Sequence, residues 1–186
     1  MITMTYWIIL IIIAITILIT IIYYNRFAVL GNRIDNSLAQ IDVQLRKRAD
    51  LVPNLVSSIK GYMKHEKTII TKVTEARKVL LGAKNIQDKV KAGNQLQTAL
   101  KSIFALAENY PQLKANENFL QLQQELSAIE DKVAYSRQFY NDSILSFNDL
   151  CRTFPGSMFA AIFSKKSREY LKIPAESRAV PKISFD

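Results

Sequence analysis

Polar positions are nearly absent at the start of the chain. From Tyr6 to Tyr24 it reads YWIILIIIAITILITIIYY without a charged residue. Roughly 19 residues at ~1.5 Å each would make a helix of ~28 Å, close to the thickness of a bilayer's hydrocarbon core. In lipid every backbone N–H and C=O must be paired within the segment, so a lone span has to be helical. Tyr6 and Trp7 at one end, and Tyr23 and Tyr24 at the other, fall where an aromatic belt belongs. A cleaved signal peptide is disfavoured, because no Lys or Arg precedes the run and no small-residue cleavage motif follows it. Thr16 and Thr20 lie one turn apart without a GxxxG motif, and are expected to bond back to their own helix.

Beyond Tyr24 the apolar positions become periodic. Ile34, Leu38, Ile41, Leu45, Val52, Leu55 and Ile59 recur at steps of three and four, one stripe of a helix over 27–60, and Arg48 interrupts that seam. Pro53 predicts a kink near 49–53, and Gly61 after Lys60 predicts a helix end. A second helix is expected over 66–81, carrying Ile69, Ile70, Val73, Ala76, Leu80 and Leu81, with Gly82 closing it. A third carries Val90, Leu96, Leu100, Ile103 and Ala107, and stops before Tyr110-Pro111 because a residue preceding proline avoids the helical region. A fourth, over 117–154, has the longest stripe, from Phe119 through Leu126, Val133, Tyr140 and Phe147 to Phe154, ended by Pro155-Gly156.

The first and fourth of these helices would each be ~50 to 57 Å long, and the middle pair ~25 to 35 Å. Equal long helices suit an all-α fold in which a transmembrane helix is followed by an antiparallel, up-and-down bundle of four. A first helix unbroken over 27–82 would instead give a three-helix rod. The expected domains are the anchor at 1–25, the helical bundle at 26–163, and a basic C-terminal segment with a flexible tail at 164–186.

Composition adds direction to this picture. The 186 residues carry 25 Lys+Arg against 16 Asp+Glu, a net charge of +9, and none of those charges lies in residues 1–25. The surplus favours anionic surroundings, and the lipid bilayer is the nearest; nucleic acid is not expected. Arg26, Arg33 and Arg46-Lys47-Arg48 all follow the span, which by the positive-inside rule puts the N-terminus outside and the rest in the cytoplasm, at a bacterial inner membrane. A single cysteine, Cys151, excludes an intramolecular disulfide framework.

Little in the chain looks like chemistry. His65 is the one histidine, better suited to a helix junction than to a proton switch, and it leaves no histidine pair for zinc. Gly31, Gly61, Gly82, Gly93 and Gly156 are too far apart for a phosphate loop. Asp42, Asp50 and the 46–48 basic run read as a solvated, internally paired face, and Cys151 as a small core residue. Asn141-Asp142-Ser143 fits a glycosylation sequon but lies within a predicted helix on the cytoplasmic side. No catalytic, cofactor-binding or metal-binding residue is assigned and no cofactor is expected. Arg48, Asn54 and Asn141, with Ser136, are the candidates for a polar core or an interaction site. The strongest functional candidate is FPGSMFAAIF at 154–163, followed by Lys165, Lys166, Arg168 and Lys172. Two readings of it stand level. Met158, Phe159, Ile162 and Phe163 could meet the membrane surface with the basic residues against anionic head groups, or could cap the open base of the bundle.

The segments YNRF at 24–27, AQIDVQLRKRADLVPNLV at 39–56, KGYMKHE at 60–66, VTEAR at 73–77, ENYPQLKANENFLQLQQEL at 108–126 and FYNDSILSFN at 139–148, with FP at 154–155, together resemble the bacterial LemA family from the anchor to about residue 172. The resemblance implies a single-pass, N-out anchor and an antiparallel helical bundle, and carries over no catalytic residues. Magnetosome-associated members suggest membrane organisation by analogy. The expected function is a non-enzymatic scaffold or interaction protein at the cytoplasmic face, organising copies of itself as a homo-oligomer or a partner membrane protein. A peripheral lipid-binding or membrane-shaping protein, and a regulatory subunit of a membrane enzyme such as a protease, are the alternatives.

Overall fold

The structure, a computed structural model, describes residues 2–63 and 66–171. The expectations for His65, Lys172 and the tail after residue 173 lie outside the described residues.

The described chain is helical, without a strand: α1 (Ile2–Lys60), α2 (Lys67–Gly82), α3 (Ile86–Ala107), α4 (Pro111–Lys114), α5 (Glu117–Arg152) and α6 (Gly156–Ile162). The expected anchor and first bundle helix are one continuous α1, with Pro53 inside it. Helix α1 ends at Lys60, where the amides of Tyr62 and Met63 both turn back to the Ile59 carbonyl. An unbroken helix over 27–82, the basis of the three-helix rod, is therefore not what the chain forms. Asn85 caps α3, its Oδ1 accepting from the Asp88 amide at 2.8 Å while its Nδ2 donates to the Asp88 carboxylate at 2.6 Å. Asn116 Oδ1 accepts from the Phe119 amide at 3.1 Å at the start of α5. Helices α4 and α6 were not among the four expected.

The chain divides into two units. The first combines residues up to Leu38 with Gln138–Tyr170, and the second combines Ala39–Arg137 with Leu171 among the described residues.

In the first unit, α1 begins as an apolar helix long enough to cross a membrane. Side chains from Met4 to Ile22 are exposed along nearly its whole length, and among the described residues nothing covers them. Thr16 and Thr20 donate to the carbonyls of Ile12 and Thr16, each at 2.8 Å, as expected of hydroxyls satisfied within their own helix. Burial starts at Phe27 and Ile34, which share a core with Tyr140, Ile144, Phe147 and Leu150 of α5 and Ala160 of α6.

In the second unit, Ile41, Leu45, Val52, Leu55 and Ile59 of α1 are buried, as their spacing requires, with Val73 and Leu80 of α2, Leu96 and Ile103 of α3, and Leu126 and Val133 of α5. Residues 94, 97 and 104 of α3 meet 137, 130 and 119 of α5, so these two helices run antiparallel. Lys89 reaches Asp42 at 2.6 Å and Arg77 Nε donates to the Ala49 carbonyl at 2.8 Å, tying α3 and α2 to α1.

Candidate membrane-facing site

The apolar run of α1 ends in aromatic residues, and in the first unit α6 is packed against that end. Tyr23 stacks on Phe159 with ring centroids 4.7 Å apart and planes 9° from parallel. Tyr24 meets Phe163 edge-on at 5.5 Å, and Phe27 meets both Phe147 and Phe163 edge-on at 5.7 and 6.2 Å. Each such pair adds ~0.5 to 1.5 kcal/mol beyond the area it buries. Arg26 places its guanidinium over the Tyr23 ring at 6.0 Å.

What positions α6 is the close approach of Gly156 to the end of α5. Gly156 is buried, and a Cβ there would run into the Leu150 carbonyl oxygen. At its other end α6 closes on itself: Ser164 takes φ 53°, its amide bonds to the Ala161 carbonyl at 3.2 Å, and the Lys165 amide bonds to the Ala160 carbonyl at 2.8 Å. This is a Schellman turn with serine where glycine is usual, and it reverses the chain.

The returning strap, residues 164–170, is pinned by Asn148, which is buried on α5. Its Nδ2 donates to the Arg168 carbonyl at 2.9 Å and its Oδ1 accepts from the Arg168 amide at 2.8 Å. The Arg168 guanidinium lies over the Phe147 ring at 5.2 Å and 3.4 Å from Asp35 Oδ1. Substituting Asn148 with leucine keeps the volume and removes both hydrogen bonds, an expected cost of about 2 kcal/mol. Amide exchange should speed up at Arg168 while residues 86–107 keep their protection.

The faces of α6 divide the candidates named above. Phe159 and Phe163 are half-buried against Tyr23, Tyr24 and Phe27, whereas Met158 and Ile162 point away, 55% and 66% exposed. Phe154, in the turn before α6, is 80% exposed. Lys165 and Lys166 are exposed, and Arg168 is engaged with Phe147 and Asp35 as described. Tyr6 and Trp7 are exposed at the far end of the apolar run.

Of the polar candidates, Arg48 and Ser136 are buried in the second unit and Asn141 is half-buried in the first. Asn54 is exposed, which removes the polar-core alternative of its reading and not the interaction one: Val52, Leu55 and Ile59 turn inward and leave position 54 on the outer face. Sequence reasoning missed Asn148, although an amide beside Phe147 on the inward-facing stripe of Ile144, Phe147 and Leu150 is the signal for a side chain that holds a second segment. Cys151 is half-buried, and burial pushes its thiol up more than Arg152 and Arg168 pull it down. A thiol so shifted is a poor nucleophile at neutral pH. The Ser143 hydroxyl of the sequon is buried and donates to the Phe139 carbonyl at 2.7 Å. Burial also raises the Tyr140 phenol, with Arg168 opposing that shift and Asp35 adding to it.

Comparison with known proteins completes the description. A protein named Protein LemA from Metamycoplasma hominis is 29% identical over 127 residues, covering 66% of this chain and 57% of that protein. The chain thus spans a little over half the length of that relative. The profile of the LemA family matches residues 37–185. A match of that extent, running from α1 through every later helix, makes this chain a member of the LemA family.

Proposed function

We propose that this chain is a non-enzymatic interaction protein of a bacterial cytoplasmic membrane, held to the bilayer at two places: the apolar span of α1, and α6 lying along the cytoplasmic surface. The observation that carries this reading is the division of α6 into two faces. On its inner side Phe159 stacks on Tyr23 and Phe163 meets Tyr24 edge-on, at the depth where a spanning helix meets the head groups, and Met158 and Ile162 on its outer side, with Phe154 in the turn before it, are left bare. Bare apolar side chains beside a bare apolar helix have a natural solvent in lipid. Lys165 and Lys166 follow α6, each worth ~1 kcal/mol against an anionic surface. The antiparallel run of α3 and α5 supports an up-and-down bundle for the rest of the protein, whose side surface organises further copies or a partner membrane protein.

Tryptophan depth measurement tests the second contact. Trp7 is the chain's one tryptophan, so Trp7→Phe removes the background. In that protein, reconstituted in vesicles containing anionic lipid, Met158→Trp and Ile162→Trp are expected to fluoresce at short wavelength and to be quenched by lipids brominated near the head group. Tyr135→Trp, on the exposed surface of the second unit, should be quenched by aqueous acrylamide instead. Equal acrylamide quenching at positions 158, 162 and 135 would count against the two-point attachment. Crosslinking in cells tests the interaction role: strictly monomeric protein with no captured neighbour argues against it.

A further inference from the structure

We infer that the second unit carries a docking groove for an acidic segment of a partner protein chain, with the Arg48 guanidinium as its anchor and Arg137 and Lys101 beside it. The groove has a volume of about 1320 Å³ and is lined by Arg48 of α1, Lys72 of α2, Lys101 of α3, and Glu130 and Arg137 of α5, among others. It lies wholly within that unit, so the inference stands apart from the membrane contact proposed above.

Arg48 is the unusual member. It is only 2% exposed, in a run of α1 where the buried positions on either side are Leu45, Ala49 and Val52. Its Nη1 donates to the Gly93 carbonyl at 3.3 Å, and its Nη2 finds no acceptor among the described residues. A buried cation with an unspent donor is costly, and arginine cannot escape the cost by losing its proton. Burial pulls the guanidinium below the ordinary arginine value, the charge of Glu130 raises it, and the charge of Arg137 lowers it further. Glu130 does not bond Arg48 Nη2; its Oε1 instead accepts from Gln97 Nε2 and lies 3.4 Å from Lys101 Nζ. Arg137, half-buried, donates from Nη1 to Asn94 Oδ1 at 3.1 Å.

Around the whole groove five cationic side chains face three anionic ones, and Asp88 is committed to Asn85. A planar carboxylate matches the arginine fork and would occupy the unused donor. The volume exceeds the ~300 to 1,000 Å³ of a small-molecule pocket, which favours a length of chain over a free ion. The walls suit a peptide as well. Thr98 and Ser102 hydroxyls donate back along α3 at 3.1 Å and keep their lone pairs as acceptors, while Ala76, Val79 and Ala99 give apolar contact between the polar groups.

The test uses the full chain in detergent micelles with two fluorescein-labelled probes, deca-glutamate and deca-glutamine, read by anisotropy. The glutamate peptide is expected to bind and the glutamine peptide not. Arg48→Met and Arg137→Gln should each weaken binding by about tenfold or more, while Lys78→Gln with Lys84→Gln, exposed on the same unit but outside the groove, changes it less than about twofold. Arg48→Met should melt at the same temperature as the parent or higher, as a buried charge exchanged for an apolar side chain often does. Should that variant fail to fold, Arg137→Gln decides the matter alone. Equal loss in the double lysine variant would reduce the binding to diffuse charge and overturn the proposal. So would undiminished binding in Arg48→Met, or displacement of the peptide by inorganic phosphate at matching concentration.

Discussion

Replacing Gly156 with valine is expected to destabilise the first unit by about 3 kcal/mol, at the upper end of what overpacking costs. The Cβ would collide with the Leu150 carbonyl oxygen and come within 3.1 Å of Leu150 Cδ1 and 3.2 Å of its carbonyl carbon. A backbone carbonyl in the last turn of α5 cannot rotate aside, so α6 must move instead. Moving α6 separates Phe159 from Tyr23 and Phe163 from Tyr24, and uncovers Ala160. Gly93 makes the contrast. A Cβ there would meet Leu45 Cδ2 at 2.6 Å, but that atom is the free end of a flexible side chain, so Gly93→Ala should cost only about 1 kcal/mol. Gly31 has nothing within 4 Å, and Gly31→Ala serves as the neutral or mildly stabilising control. Hydrogen exchange separates the three outcomes: collapse of protection over 138–163 for Gly156→Val, a small change over 86–107 for Gly93→Ala, and none in either window for Gly31→Ala.

That glycine also shows where sequence reading runs out. Pro155-Gly156 reads as the stop of a long helix, and α5 does end at Arg152. Nothing in the pattern announces that Gly156 also opens α6, because seven residues are too few for a helical period to declare itself. The four-residue α4 escaped for the same reason. The long helices were legible because each stripe ran for several turns and met its punctuation: Gly61 after Lys60, Gly82 at the end of α2, Pro111 after α3. The continuity of α1 through Tyr24 was less visible, since the change from an all-apolar to a one-sided pattern marks where other helices begin to cover it and not a break in the helix.

The candidate site divides along the same line. Aromatic and basic residues near 154–168 could be picked out by composition, but which faces pack and which stay bare depends on the angle at which α6 leaves α5. Periodicity within α6 cannot supply that angle. Asn148 and Arg168 are 20 positions apart, and only the Schellman turn at Ser164 brings them together. Arg48 was the exception, visible as a charge breaking an apolar seam, because a local violation of pattern can be read without knowing the fold.

Phe27→Ala is expected to have the largest effect of any single side-chain truncation in the first unit, about 3 to 5 kcal/mol. Phe27 is 2% exposed and is the first buried residue after the apolar span. Its ring touches α5 through Phe147 and the end of α6 through Phe163, at 5.7 and 6.2 Å. Truncation loses the transfer energy of the ring, leaves a cavity whose walls belong to three helices, and removes two edge-on ring contacts. Against a total of ~5 to 15 kcal/mol for an ordinary domain, that is enough to populate a state in which α6 and the strap come away from α1. Phe27→Leu refills most of the space and should lose only about 1 to 2 kcal/mol. Far-UV circular dichroism will barely register the change, because an apolar helix in a micelle stays helical whether or not α6 is docked. Hydrogen exchange over 138–163, or proteolysis in the strap, is the informative readout. Rapid cleavage after Lys165 or Lys166 in Phe27→Ala, slow cleavage in Phe27→Leu, and unchanged protection of α3 in both would show that Phe27 holds the first unit alone. Protection retained across 138–163 in Phe27→Ala would mean that the stacked Tyr23 and Phe159 suffice to keep α6 in place.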